Sequence, residues 1–149
     1  MVDANFSATE LASAGFTSTE LKGVGFSVID LYIAGFTIQH PILACIHDAT
    51  NTMAYSVDGI RWNGLGNSIF SDYGTNAFWN GYMWVAVGKG SNTIAYSLNL
   101  LDWTGLGSTL FSVQGNGVSY DKNKWVAVGS GSENTIRYVP PYIVHLTEQ

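Results

Sequence analysis

Asn51 to Gly90 reads NTMAYSVDGIRWNGLGNSIFSDYGTNAFWNGYMWVAVGKG, and Asn92 to Gly131 reads NTIAYSLNLLDWTGLGSTLFSVQGNGVSYDKNKWVAVGSG. Aligned without a gap, about 18 of roughly 40 positions are identical, at a period of about 41 residues. A period of that size belongs to repeat architectures, in which one supersecondary unit cannot bury its apolar face alone and stacks on its neighbours. Inside each copy, short strand-like runs lie between turn signals. Trp84-Val85-Ala86-Val87-Gly88 and Trp125-Val126-Ala127-Val128-Gly129 are compact apolar runs, while Thr52 to Ser56, Thr93 to Ser97 and Thr135 to Val139 alternate. Short strands about ten residues apart with polar, Gly-rich turns point to an all-β sandwich, barrel or propeller. A unit of about 41 residues holding about four strands has the size of a propeller blade.

The fold class expected is therefore mainly β, with propeller-like blades, two blade-equivalents per chain, and a small N-terminal α-helical repeat segment. The loops Lys89 to Asn92 and Ser130 to Asn134 read as hairpin turns. Ile42 to Ser56 aligns with Val85 to Ser97 if a looser loop is allowed, so the chain starts and ends in mid-blade.

From Phe6 the chain repeats every ten residues: FSATELASAG, FTSTELKGVG, FSVIDLYIAG. Ser7, Thr17 and Ser27 stand three residues before Glu10, Glu20 and Asp30, the spacing of a capping box. Leu11, Leu21 and Leu31 follow Phe6, Phe16 and Phe26 at the hydrophobic-staple distance, and Gly15, Gly25 and Gly35 close each unit. Such short helices are far below the length that is stable alone and must pack on something. A pentapeptide β-helix is the competing reading of the Phe and Leu spacing. His40-Pro41 breaks the pattern, because Pro cannot continue a helix. The domain boundary is placed there: 1–40 capped-helix repeats, 41–149 blade repeats.

Two family resemblances follow from these residues. The decads resemble the AGF(S/T)xxEL short-helix repeats of some large-virus and microbial proteins. Ser56-x-Asp58-Gly59-x-x-Trp62 resembles a shortened Asp-box of the sialidase-type (BNR-like) propellers, in which Asp and Gly shape a hairpin turn and the Trp packs under it. The second copy keeps Ser97 and Trp103 but has Asn99 and Leu100 in place of Asp and Gly. The wider pattern is also similar to blade repeats of large DNA viruses and microbial surface proteins. Trp62, Trp103, Trp84 and Trp125 recur at the period and read as blade-packing residues.

Composition narrows the function. The chain is 46% hydrophobic, only 11% charged, and carries a net charge of -5. A charge-poor surface tolerates burial against copies of itself. With no basic run, nucleic acid and anionic membranes are not expected partners. Neither a secretory signal nor an apolar run of membrane-spanning length is legible, and the compartment is left open. Cys45 stands alone, and His40, His47 and His145 lack metal-ligand spacing, so no disulfide, metal or cofactor is expected.

The three-arginine cluster of sialidases has no counterpart: Arg61 and Arg137 fall at non-equivalent places. No nucleophile elbow or dinucleotide loop is present. A non-enzymatic role is expected. Propellers close with about four to eight blades, so two would leave apolar faces open. Association of several chains into a ring or extended assembly is the leading expectation; a monomer shielded by the helices and a two-sheet sandwich are the alternatives. A glycan-binding, lectin-like propeller is the second functional reading, with Trp79, Tyr82, Tyr73, Tyr120, Asp58 and Asp121 as candidate ligand residues. An Asp-box glycosidase is the third.

Overall fold

The computed structural model describes residues 6–26, 28–36, 41–131 and 136–139. The protein is mainly β, with antiparallel sheets that do not close. It divides into two compact units, Met1–Ile42 with Ser56–Arg61, and Leu43–Tyr55 with Trp62–Gln149.

The helical unit holds three six-residue helices, α1 (Ala8–Ser13), α2 (Ser18–Gly23) and α3 (Val28–Ile33). Ser7 Oγ accepts from Glu10 N, and a Glu10 carboxylate oxygen accepts from Ser7 N at 2.7 Å; Thr17 and Glu20 repeat the pair at 2.8 Å. Each box satisfies two N–H groups that a helix start leaves unpaired. Ser27 lies outside the described residues; Asp30 occupies the first turn of α3. The three C-termini close alike. Phe16, Phe26 and Phe36 N–H groups bond back to Leu11, Leu21 and Leu31 carbonyls, with Gly15, Gly25 and Gly35 at φ 93, 104 and 84°. This is the Schellman arrangement, and its left-handed residue explains the glycine of every decad. The small core takes the leucines: Leu21 and Leu31 are buried with Ala8, whereas Phe6 and Phe16 stay 60% and 46% exposed. A staple between Phe6 and Leu11 therefore adds little burial of the phenyl ring.

The β unit is a series of antiparallel meanders. The first comprises β1 (Ile42–Cys45), β2 (Met53–Ser56) and β3 (Asn63–Gly64). The second comprises β4 (Tyr73–Trp79), β5 (Trp84–Lys89), β6 (Ile94–Ser97) and β7 (Thr104–Gly105). The third comprises β8 (Gln114–Asp121), β9 (Lys124–Ser130) and β10 (Ile136–Val139). One bridging pair, Lys89 with Gln114, joins the second meander to the third. Both long hairpins carry a register shift at the same repeat position, between Gly74 and Asn76 and between Gly115 and Gly117. Such bulges sharpen the local twist of a strand.

The seams between meanders are also repeated. Met53, Phe70, Ala86 and Ala95 form one buried cluster, with Leu43, Cys45, Leu65, Ile69 and Ala77 against it. The next seam buries Val85, Val87, Ile94, Phe111, Val118, Trp125 and Ala127. Ile94 stands for Met53, Phe111 for Phe70 and Ala127 for Ala86, one repeat later. At full burial each of the Val, Ile, Met and Phe side chains here contributes roughly 1.5–3 kcal/mol.

Three local devices set the repeat. Asn51 Oδ1 accepts from Gly66 N at 3.0 Å, and Asn92 Oδ1 from Gly107 N at 2.8 Å. Buried Thr52 and Thr93 hydroxyls donate to the carbonyls of the same glycines. The Asn-Thr pair thus pins the short outer strand to the sheet. Phe70 and Phe111 lie against Gly88 and Gly129, where a side-chain carbon would collide with the ring. That contact accounts for the glycine closing each WVAVG run.

The alignment of Ile42 with Val85 needs correction by one residue. Ile46 N donates to the Thr52 carbonyl as Gly88 N donates to that of Thr93. Ile46 is therefore the counterpart of Gly88, Leu43 of Val85 and Cys45 of Val87. The one-residue difference is decisive because it turns Leu43 and Cys45, not Ile42 and Ala44, toward Met53 and Phe70.

Candidate interaction surface

The Asp-box-like turns are built from their own side chains. In the first, Asp58 Oδ1 accepts from Ile60 N and Arg61 N, both at 2.8 Å, and Ser56 Oγ accepts from Gly59 N at 2.8 Å. Backbone N–H donors of Arg61 and Ile60 hold the Asp58 carboxyl below the ordinary carboxylate value. Its charge is engaged by the turn. In the second, Asn99 Oδ1 accepts from Leu101 N and Asp102 N, and Leu100 adopts φ 72° where Gly59 has φ 75°. Trp103 Nε1 donates to the Leu100 carbonyl at 2.7 Å and packs on the seam with the preceding meander. Trp62 has no preceding meander among the described residues and remains 44% exposed. Among the described residues only Trp103 has a preceding meander to pack on, and it is the less exposed of the two.

The five candidate ligand residues of the β unit, Tyr73, Trp79, Tyr82, Tyr120 and Asp121, do not converge. Trp79, Tyr82, Tyr120 and Asp121 gather at the tips of the β4–β5 and β8–β9 hairpins. There Trp79 pairs with Trp84 at 5.3 Å, Tyr120 with Trp125 at 4.8 Å, and Phe78 meets the edge of Trp125 at 6.1 Å. Tyr82 is 66% exposed, while Trp84 and Trp125 are buried. Tyr73 lies at the opposite end of β4, roughly 20 Å away at strand rise. Its hydroxyl bonds Gln114 Oε1 at 2.7 Å, its ring stacks on His47 at 3.8 Å, and Lys89, paired with Asp72 at 3.1 Å, approaches the ring. Asp58 sits in the first Asp-box-like turn. Periodicity alone does not separate the two ends of a strand, which is why one list spans both.

The surface that stands out was not singled out from sequence. Val85, Val87 and Ile94 are 0% exposed; their repeat counterparts Val126, Val128 and Ile136 are 37%, 38% and 66% exposed. The chemistry is unchanged and only the cover differs: the third meander lies over the first set. Register places Ile136 opposite Val128, so the exposed residues share one face of the β9–β10 pair. An open cleft of about 320 Å³ adjoins them, lined also by Asn76, Asn116 and Ser119. In the second meander the matching place is filled by β8, whose Val118 N donates to Asn76 Oδ1 at 3.0 Å. Apolar side chains hold the middle of this face, with Lys124 and its register partner Asp121 at one end of it. The sequence carries no separate signal for this surface, because the side chains are the same in each copy.

Among the described residues no cluster of three or more His, Cys, Asp or Glu side chains is placed to hold a metal ion. Burial pushes the Cys45 thiol up to about 12, which keeps it protonated at neutral pH.

No protein-family model matches the chain, and a search of curated proteins finds no match. Among solved structures, the computationally designed Ika4 protein superposes with a TM-score of 0.49 at 14% identity, over 70% of this chain and 62% of that one. The chain thus spans less than two thirds of the designed protein's length.

Proposed function

We propose that this protein is a non-enzymatic, self-assembling repeat protein with a scaffold role, whose propeller-like blades are completed by association between chains. The observation that carries the reading is the contrast between Val85, Val87 and Ile94, all sealed, and Val126, Val128 and Ile136, all open. Identical packing surfaces that differ only in being covered are what an unfinished stack leaves at its end. Contiguous exposed apolar surface on a sheet of this kind marks an interaction site. Low charge keeps the desolvation cost of covering it small.

The test is light scattering after size exclusion at micromolar concentration. The wild-type chain is expected to elute as an oligomer. Val128→Lys places a charge in the open face and is expected to give a folded monomer with unchanged circular dichroism. A monodisperse wild-type monomer would refute the proposal.

A second reading is favoured by the aromatic tips. Tyr82, Trp79 and Tyr120 with Asp121 offer apolar rings beside a carboxylate, the combination that stacks on sugar C–H faces and bonds hydroxyls. A glycan array tests it, with Tyr82→Ala as the loss-of-binding variant; a blank array removes it.

A further inference from the structure

We infer that Asn80 is a modification site: its side-chain amide is lost spontaneously through a cyclic imide formed with Gly81, which water opens to aspartate or isoaspartate.

The sequence holds three Asn-Gly pairs, Asn63-Gly64, Asn80-Gly81 and Asn116-Gly117. In each, the glycine nitrogen is the nucleophile and the asparagine Cγ the electrophile, and glycine puts no side chain in the way of their approach. Cyclisation turns the peptide plane between the two residues. Two of the pairs are held against that turn. Asn63 and Gly64 face Tyr55 and Ala54 in the β2–β3 ladder, and the Asn51 side chain occupies the space beside Gly64. Asn116 lies in β8, and Gly117 is in register with Val128. Asn80-Gly81 lies outside the strands, between Trp79 at the end of β4 and Trp84 at the start of β5. Gly81 is exposed, with φ 97° and open space where a β-carbon would stand.

The side chain is also prepared for attack. Asn80 Oδ1 accepts from Tyr82 N at 2.9 Å and from Met83 N at 2.8 Å. Two N–H donors on the amide oxygen draw electron density from Cγ and stay bonded to the oxyanion that forms there. The Gly81 nitrogen gives up its proton and bonds to Cγ. The Cγ–Nδ2 bond breaks, and the amide nitrogen leaves with that proton as ammonia. Water then opens the ring. Addition at Cγ gives aspartate on an unaltered main chain. Addition at the Asn80 backbone carbonyl leaves the main chain running through Cγ, one carbon longer.

The repeat shows which product the hairpin accommodates. Asp121 stands at the position of Asn80 one unit later, with Lys122 at φ 41° in the place of Gly81. An aspartate therefore fits this turn, and it gives Trp79 the neighbouring carboxylate that Tyr120 has in Asp121. Isoaspartate instead lengthens a tip whose ends are joined by the bond from Asn80 N to the Met83 carbonyl.

The test incubates the full chain at mildly alkaline pH, where the attacking nitrogen loses its proton more readily. Peptide mass spectrometry reads the exchange of amide for acid, and enzymatic methylation reads isoaspartate. Conversion at Asn80 is expected ahead of Asn63 and Asn116. The same incubation in guanidinium chloride should bring the three pairs to similar rates. Folding thus slows Asn63 and Asn116 by about fivefold or more, the factor that one ladder hydrogen bond of ordinary strength supplies, and leaves Asn80 unslowed. Asn80→Asp, the aspartate product made directly, is expected to match the circular dichroism and melting of the wild type. Equal conversion at Asn63 or Asn116 in the folded chain, or an Asn80 that reacts more slowly folded than unfolded, overturns the assignment. An Asn80→Asp variant that fails to fold overturns the account of the product.

Discussion

Leu100 offers a sharp test of how the second Asp-box-like turn is held. The residue is fully buried, and its φ of 72° lies in the left-handed region that Gly59 occupies in the first copy. A left-handed conformation costs a residue with a β-carbon roughly 1–2 kcal/mol. Burying a leucine returns more: Leu→Ala in a core costs about 2–5 kcal/mol. The side chain is therefore kept despite its backbone. Leu100→Ala removes the burial and retains the strain, with an expected loss of about 3 kcal/mol. Leu100→Gly removes both, and relief of the strain recovers roughly 1 kcal/mol. At an ordinary strand position glycine is the worse of the two by roughly 0.5–1 kcal/mol, so the ranking inverts here. At about 3 °C per kcal/mol for a chain of this size, the alanine variant melts roughly 9 °C below wild type and the glycine variant roughly 6 °C below. Trp103, bonded to the Leu100 carbonyl, supplies the fluorescence signal for thermal and denaturant melts of the β unit. An alanine variant as stable as the glycine variant, or more so, would refute the account.

Other outcomes follow from the same structure. Gly88→Ala drives a methyl into Phe70, with a ring carbon 2.7 Å from the added carbon, and is expected to cost about 1–3 kcal/mol in the same melt. Asn92→Ala removes bonds to both Gly107 N and the Ile69 carbonyl and is expected to destabilise by about 1–3 kcal/mol, more than Asn51→Ala. The Glu10 and Glu20 carboxyls are held below their ordinary value of 4.5, by backbone and side-chain bonds from Ser7 and by side-chain and backbone bonds from Thr17. Their contribution to helix stability is therefore full above pH 4.5 and is lost as pH falls through the depressed folded values. Hydrogen exchange of the α1 and α2 amides should accelerate relative to α3 across that acid window, and Glu10→Gln with Glu20→Gln should abolish the difference.

Much of the β unit was legible because its signal is doubled. Every strand run in the Asn51 and Asn92 copies recurs as a strand, since like sequences in like surroundings fold alike. The cap residues were legible for a different reason: Ser7 with Glu10 and Thr17 with Glu20 act over three residues and need no distant partner. What escaped depended on distance. The pinning of Gly66 by Asn51 spans fifteen residues, and the stop at Gly88 is set by Phe70 from another strand. The register of Ile42 is hidden from alignment because a loop of different length conceals a slip of one residue, which a hydrogen bond such as Ile46 to Thr52 reveals. The candidate ligand residues scattered because aromatic composition does not say which end of β4 a side chain occupies. The exposed valines were invisible for the opposite reason: Val126 looks the same as Val85 in sequence, and only their exposures differ.

Tyr73 bonds Gln114, a residue 41 places further on that occupies its own position in the next copy. Joints made between like positions impose a rule on length. A gene that duplicates or deletes one whole unit rejoins each remaining joint in phase, whereas an insertion of any other size must be absorbed outside the strands, as the longer 46–52 loop does. Variation in copy number, and not in strand length, is the change this architecture accommodates most readily.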